Sequence, residues 1–227
     1  MTATAPDKES YRLALHRLAL PRFAKPESTR PWVVALEGAN GAGKSTLCRA
    51  LSMRLGVPHC LGTDAAWFSD AFKVRMIRDA DWYASAMFFL SGCFEQMRVL
   101  GSRTDRLIIM DRSIWSTFAV HAAASEERLA ALIAMLQPVA DQVRVPDLTI
   151  VLEASFATCQ SRIGSKTGTA RALDDLTASA GFHAREAEFY RWLSTQTPNV
   201  VFLDVDCCQP EAVAEKAATL VRPTNQC

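Results

Sequence analysis

The run Gly38-Ala39-Asn40-Gly41-Ala42-Gly43-Lys44-Ser45-Thr46 has the spacing G-x-x-x-x-G-K-S/T of a phosphate-binding loop. Glycines let successive backbone N–H groups turn inward on an anion. A helix beginning near Lys44 would add the positive end of its dipole. The Lys44 ammonium would reach the β- and γ-phosphates of a nucleoside triphosphate, and the Ser45 hydroxyl would ligate Mg²⁺. A glycine-rich turn with an incidental lysine is the competing reading. It fits the setting less well, because the apolar run Trp32–Leu36 precedes the loop and a helix-period stretch, closed by Gly56 and Pro58, follows it.

A second group is Asp111-Arg112-Ser113, directly after the apolar run Leu107–Met110. A carboxylate at the end of a buried strand stands at the sheet's carboxyl edge, where it could ligate the same metal ion. Arg112 offers a planar fork suited to phosphate, although a strand-end salt bridge would use the same two side chains. Asp64 follows another short apolar run, Val57–Leu61. It could take a proton from an acceptor hydroxyl, or it could cap the helix suggested by Trp67, Phe68 and Ala71. Trp67, Trp82, Tyr83, Phe88 and Trp115 gather in the same stretches, and one or two could stack on a planar ring while the others build core. Lys166 and Arg171, between Gly164 and Thr177, could neutralise charge on a transferring phosphoryl group or form a plain solvated loop.

These groups need a scaffold. Short runs rich in apolar and β-branched residues, Trp32–Leu36, Val57–Leu61, Leu107–Met110, Leu148–Leu152 and Val200–Leu203, alternate with helix-period segments. Most lack polar alternation, as strands covered on both faces of a parallel sheet do. The pattern predicts an α/β sandwich with right-handed crossovers, whose ligands collect at the carboxyl ends of the strands. Leu129, Leu132, Ile133 and Leu136 fall at helical spacing and read as core. Ahead of the sandwich, Tyr11, Leu15 and Leu18 mark an amphipathic helix over 10–20, ended by Pro21, that packs on the domain or meets a partner. Residues 1–31 therefore read as an extension and 32–227 as the catalytic domain.

Composition removes several classes. The formal net charge of +1 argues against a broadly basic nucleic-acid-coating protein, and no apolar run approaches the ~18 residues of a membrane span. Seven scattered cysteines without a C-x-x-C pair argue against a zinc or dithiol site and for reduced thiols in the cytoplasm. The first residues lack the charged-then-apolar order of a secretory signal.

With both motifs in view, the chain resembles the thymidylate-kinase-like group of P-loop kinases and, more distantly, the deoxynucleoside kinases, over most of residues 32–221. Glu37-Gly38-Ala39-Asn40-Gly41-Ala42-Gly43-Lys44-Ser45 is the group's type of phosphate loop, and Asp111-Arg112-Ser113-Ile114-Trp115-Ser116 through Ala119-Val120-His121 matches part of its D-R-Y-x-x-S-x-x-A-Y-Q run. The Asp-Arg-Ser form is similar to the E-R-S of deoxynucleoside kinases. The resemblance implies a three-layer fold with a five-stranded parallel sheet in the order 2-3-1-4-5 and a short lid, here about 164–178. It implies ATP and Mg²⁺ as cofactors, Arg162 stacked on the adenine, and Lys166 and Arg171 as lid cations. Asp64, Trp67, Phe88, Arg112, Trp115, Ser116 and His121 would face the acceptor, His121 standing where the group has glutamine. Many members pair through helices beside the third strand, so a homodimer is expected.

Two departures concern the acceptor. Gly92 stands where thymidylate kinases carry a thymine-reading arginine, and Leu61-Gly62-Thr63-Asp64 replaces their R-E-P-G-G segment. Both argue against dTMP itself. The leading expectation is an ATP-dependent kinase of a nucleoside or nucleoside monophosphate, with Lys44, Asp64, Asp111, Arg112 and Arg171 as its catalytic residues. The alternative is a phosphotransferase for a hydroxyl of another compound: an antibiotic, a metabolite, or a modified base, which is the one way nucleic acid would serve as partner. A non-enzymatic nucleotide binder ranks last, since lid cations and Asp-Arg would have no task there and no N-K-x-D base-reading run is present.

Overall fold

The computed structural model describes residues 8–24, 31–62, 69–165, 179–206 and 208–221. Five parallel strands, β1 (Trp32–Glu37), β2 (His59–Leu61), β3 (Leu107–Asp111), β4 (Leu148–Glu153) and β5 (Val200–Asp204), form one sheet in the order β2-β3-β1-β4-β5. This is the expected order. The second strand is shorter than its apolar run, starting at His59 rather than Val57.

The register places the strand ends together. Leu36 of β1 and Leu61 of β2 both pair with Asp111, and Glu153 of β4 pairs with Asp204 of β5. Glu37, Asp111, Glu153 and Asp204 are therefore the last residues of four strands along one edge. Within the strands, side chains alternate between faces. Val34 and Leu36 pack toward α2 (Lys44–Leu55), while Val33 and Ala35 pack with Leu100 of α4 (Trp82–Gly101). Each fully buried leucine or valine of this kind contributes about 1.5–3 kcal/mol.

One face carries α2 together with α7 (Phe156–Gly164) and α9 (Pro210–Leu220). The other carries α1 (Lys8–Leu15), α4, α5 (Ile114–Ala124), α6 (Glu126–Leu136) and α8 (Ala180–Gln196). The short helix α3 (Asp70–Arg78) leads into α4. Leu129, Leu132 and Leu136 are buried, as their spacing requires. Helix α1 ends at Leu15, before the expected position near Leu20, and Tyr11 and Leu15 are fully buried in the cluster built by α5, α6 and α8. Residues 16–24 return toward the domain, where Ala24 bridges to Arg144 and its N–H donates to Val143 O at 3.0 Å.

Candidate active site

Helix α2 begins differently from most of the other helices. Ser69, Asp81, Ser113, Ser125, Ser155 and Ser179 each accept a backbone N–H at the start of α3, α4, α5, α6, α7 and α8. The cap of α2 is Gly43, at φ 102°, with no side chain to supply that bond and no acid in the first turn. Its first N–H groups are left for an anion. A cavity of about 510 Å³ opens at this point, lined by the loop from Gly41 to Thr46 and by Arg49, Arg112 and Arg162.

Lys44 is buried and folded back, its Nζ donating to Gly38 O at 2.6 Å and Ala39 O at 2.7 Å. Burial, and then the charge of Arg112, lower its ammonium pKa to about 8, against the opposite pull of Glu186, Asp111 and Glu37. Arg162 donates to Ala42 O at 3.2 Å and Val205 O at 3.1 Å, which holds its guanidinium on the cavity wall. Ser45 and Thr46 line the same space.

Arg112 is the only non-glycine residue at positive φ (69°) among those described. Its guanidinium donates to Asn40 Oδ1 of the phosphate loop and to Ser116 Oγ, the latter at 3.3 Å. The strand-end salt bridge weighed from sequence is not made with Asp111 among the described residues. Asp111 is buried, and its Oδ1 has no hydrogen-bond partner among the described residues. An orphaned carboxylate oxygen at the strand edge, with the Ser45 hydroxyl in the adjoining helix turn, is a donor set that suits a divalent cation.

Not every expected acceptor residue reaches this cleft. Trp115 and His121 do not line the cavity. Trp115 is 2% exposed and packs edge-on against Phe23 and Phe118, because the first turn of α5 points it into the helical layer. His121, two turns further on, is buried against Trp82 at 5.8 Å between ring centroids. Burial, with Arg128 nearby, depresses its pKa to about 4, so it is neutral at pH 7. Ser116 is buried with its hydroxyl on Glu37 and on Arg112, an internal rather than an open position. Phe88 is at the margin, 9% exposed and edge-on to Phe72 at 5.3 Å. Asp64, Trp67, Lys166 and Arg171 lie outside the described residues.

Three residues at this edge are not among the expected site residues. Glu37, the only charged residue of β1, is fully buried and accepts from Ser113 N–H (2.7 Å), Ser113 Oγ (2.6 Å), Ser116 Oγ and Tyr190 Oη (2.9 Å). A charge closing an apolar strand just before a phosphate loop was the available signal. Burial raises its carboxyl pKa, while the Ser113 and Ser116 bonds and Arg112 pull it down. Tyr190 and Glu186 come from α8, and no local motif marks them. Glu186 is buried and lines a second cavity of about 300 Å³ beside Gly38, Ala39 and Tyr190.

An open helix N-terminus, one lysine and three arginines around a single cavity at the carboxyl edge of a parallel sheet define a P-loop phosphotransferase. Residues 34–226 match the deoxynucleoside kinase family, and the chain belongs to it. Solved structures agree on the fold. The deoxyadenosine kinase of M. mycoides with bound dATP has a TM-score of 0.63 at 17% identity, covering 82% of this chain and 97% of that one. The thymidylate kinase of Candida albicans has a TM-score of 0.63 at 19% identity, covering 86% and 92%. No curated protein matches. The chain is thus an ATP-dependent kinase of a nucleoside or nucleotide, which removes the passive nucleotide binder from consideration. No described helix is long and apolar enough to cross a membrane.

Proposed function

We propose that the enzyme transfers the γ-phosphoryl group of ATP to a hydroxyl of a deoxynucleoside. The observation that carries this reading is the convergence of Lys44, Arg112 and Arg162 on the cavity at the open end of α2, with Arg112 tied to the loop through Asn40. In this reading Lys44 exchanges the Gly38 and Ala39 carbonyls for β- and γ-phosphate oxygens, and the α2 N–H groups hold the same phosphates. Arg162 orients the adenine. Ser45 and Asp111 would hold Mg²⁺, which when bound neutralises phosphate charge. Arg112 stands between the loop and the acceptor, and Lys166 and Arg171 add positive charge from the lid.

Asp64 takes the proton as the acceptor oxygen bonds to the γ-phosphorus. The bond from that phosphorus to the bridging oxygen breaks, and ADP leaves. A phosphate acceptor is already an anion and would need no such base, so Asp64 favours a hydroxyl. Gly92 in place of the thymine-reading arginine argues against dTMP as the acceptor. Five cysteines among the described residues are thiols outside any disulfide, in keeping with a reducing, cytoplasmic setting. Pairing of two copies beside β3 belongs to the same reading.

The test is a panel of deoxynucleosides, ribonucleosides and their monophosphates with Mg·ATP, run on wild type and Asp64→Asn. Deoxynucleoside phosphorylation that falls at least 100-fold in Asp64→Asn supports the proposal. Turnover confined to monophosphates, with Asp64→Asn fully active, overturns it.

A further inference from the structure

Glu37 has a coordination that excludes the usual tasks of an active-site acid. A carboxylate offers about four lone-pair positions. Here Oε1 accepts from the N–H and the hydroxyl of Ser113, and Oε2 accepts from Ser116 and Tyr190. With all four occupied and the side chain fully buried, it has nothing left for a metal ion, a phosphate or an acceptor proton.

Its partners surround Arg112. A positive φ strains a residue with a β-carbon and persists only where the surroundings impose it. The Arg112 N–H donates to Leu36 O at 3.0 Å, one residue before Glu37. The next N–H, that of Ser113, donates to Glu37 itself. The strained residue is thus pinned on both sides by consecutive residues of β1. At its far end, the guanidinium donates to Ser116 Oγ, which also donates to Glu37. Tyr190 brings α8, the helix that follows the lid segment, onto the same carboxylate.

We propose that Glu37 is a positioning residue for phosphoryl transfer: it holds Arg112 in its strained conformation over the phosphate loop, and Tyr190 extends that hold to α8. This rests on the kinase reading above, in which Arg112 stands between the phosphate loop and the acceptor. Glu37 acts only through Arg112, so its worth is conditional on Arg112 being present.

The test is a double-mutant cycle between Glu37→Gln and Arg112→Ala, with Tyr190→Phe as an independent probe. Glutamine keeps the shape, and its amide can donate to Ser116 and Tyr190, whose hydroxyls rotate to accept. It removes the charge that faces Arg112. The expected result is a kcat at least tenfold lower in Glu37→Gln and about threefold lower in Tyr190→Phe, with the equilibrium Kd for Mg·ATP within twofold of wild type and Tm within 3 °C. In the Arg112→Ala background, Glu37→Gln should add less than twofold. Losses that multiply, losses that track Tm, or wild-type kcat in Glu37→Gln overturn the proposal. If wild type phosphorylates no nucleoside or nucleotide, the substrate reading fails instead, and the cycle is read on Mg·ATP hydrolysis with water as acceptor.

Discussion

The Lys44 ammonium lies 2.6 Å from the carbonyl oxygen of Gly38, six residues back along its own loop. With the second bond to Ala39 O, the lysine is held inside the loop it serves. Nucleotide binding must break these bonds, and phosphate oxygens offer stronger, charge-assisted ones. Lys44→Ala should abolish the thermal shift given by Mg·ATP and lower kcat/KM by about 10³ or more, a transition-state loss of about 4 kcal/mol. The unliganded variant should keep the wild-type Tm or exceed it, since a buried and desolvated charge is gone. Differential scanning fluorimetry with and without nucleotide reads both, and a retained shift would remove Lys44 from the phosphate site.

Gly62 meets Arg112 more closely than any side chain would allow. A β-carbon on Gly62 would stand 2.0 Å from Arg112 O and 2.9 Å from Ser113 N, both backbone atoms. The Gly62 N–H also donates to Asp111 O at 2.8 Å, so the two chains cannot separate without losing a bond. Gly62→Ala should cost about 2 kcal/mol, lowering Tm by roughly 4–8 °C. Phosphoryl transfer should fall at least tenfold while the Kd for Mg·ATP stays within a few-fold, because the phosphate loop is untouched. Equal losses in both would show that the strain spreads through the whole edge.

The parts of this enzyme that were legible in the sequence are local ones. An apolar run, a glycine-rich loop and a helix start are contiguous, so β1, the phosphate loop and α2 could be placed from residues 32–56 alone. The Glu37 cluster was not legible, because Ser113 is 76 residues away and Tyr190 is 153. Nothing near Arg112 in the chain signals a positive φ. It follows from pairing β1 with β3 and from the contact with Gly62. Trp115 and His121 were read toward the acceptor from their positions in a family run, while the rotation of α5 turns them into the core. Helix periodicity shows which residues share a face, but only packing shows what that face meets.

Glu186 exchanges stability for charge. It is buried beside the second cavity, and burial raises its carboxyl pKa, opposed by Lys44 and Arg112. A carboxyl raised in the fold binds protons that the unfolded chain has released, so its contribution to stability falls as pH rises above the unfolded value near 4.5. Glu186→Gln should therefore raise Tm, by more at pH 8 than at pH 5. The same change removes a negative charge beside the phosphate loop and should alter the Kd for Mg·ATP. Melting curves across pH test the first part, and a gain independent of pH would assign the effect to packing.

His121 gives the fold an acid-side weakness distinct from the active site. Its pKa is depressed from 6.5 to about 4, first by burial and then by Arg128, whose guanidinium lies 5.5 Å from the centre of the Trp82 ring. The Nδ1 atom has no hydrogen-bond partner among the described residues, so a proton there would be a buried charge. Below pH 6.5 the unfolded chain takes up this proton and the folded one does not, so stability declines from about pH 6.5 down to about 4. The shift corresponds to about 3 kcal/mol over that window. His121→Gln replaces the titrating ring with a neutral side chain and should flatten the acid limb of a plot of Tm against pH between 4 and 6.5. Since the ring packs in the core, tilted against Trp82, KM for the acceptor should stay within twofold of wild type. A larger change in KM with an unaltered acid limb would return His121 to the acceptor site.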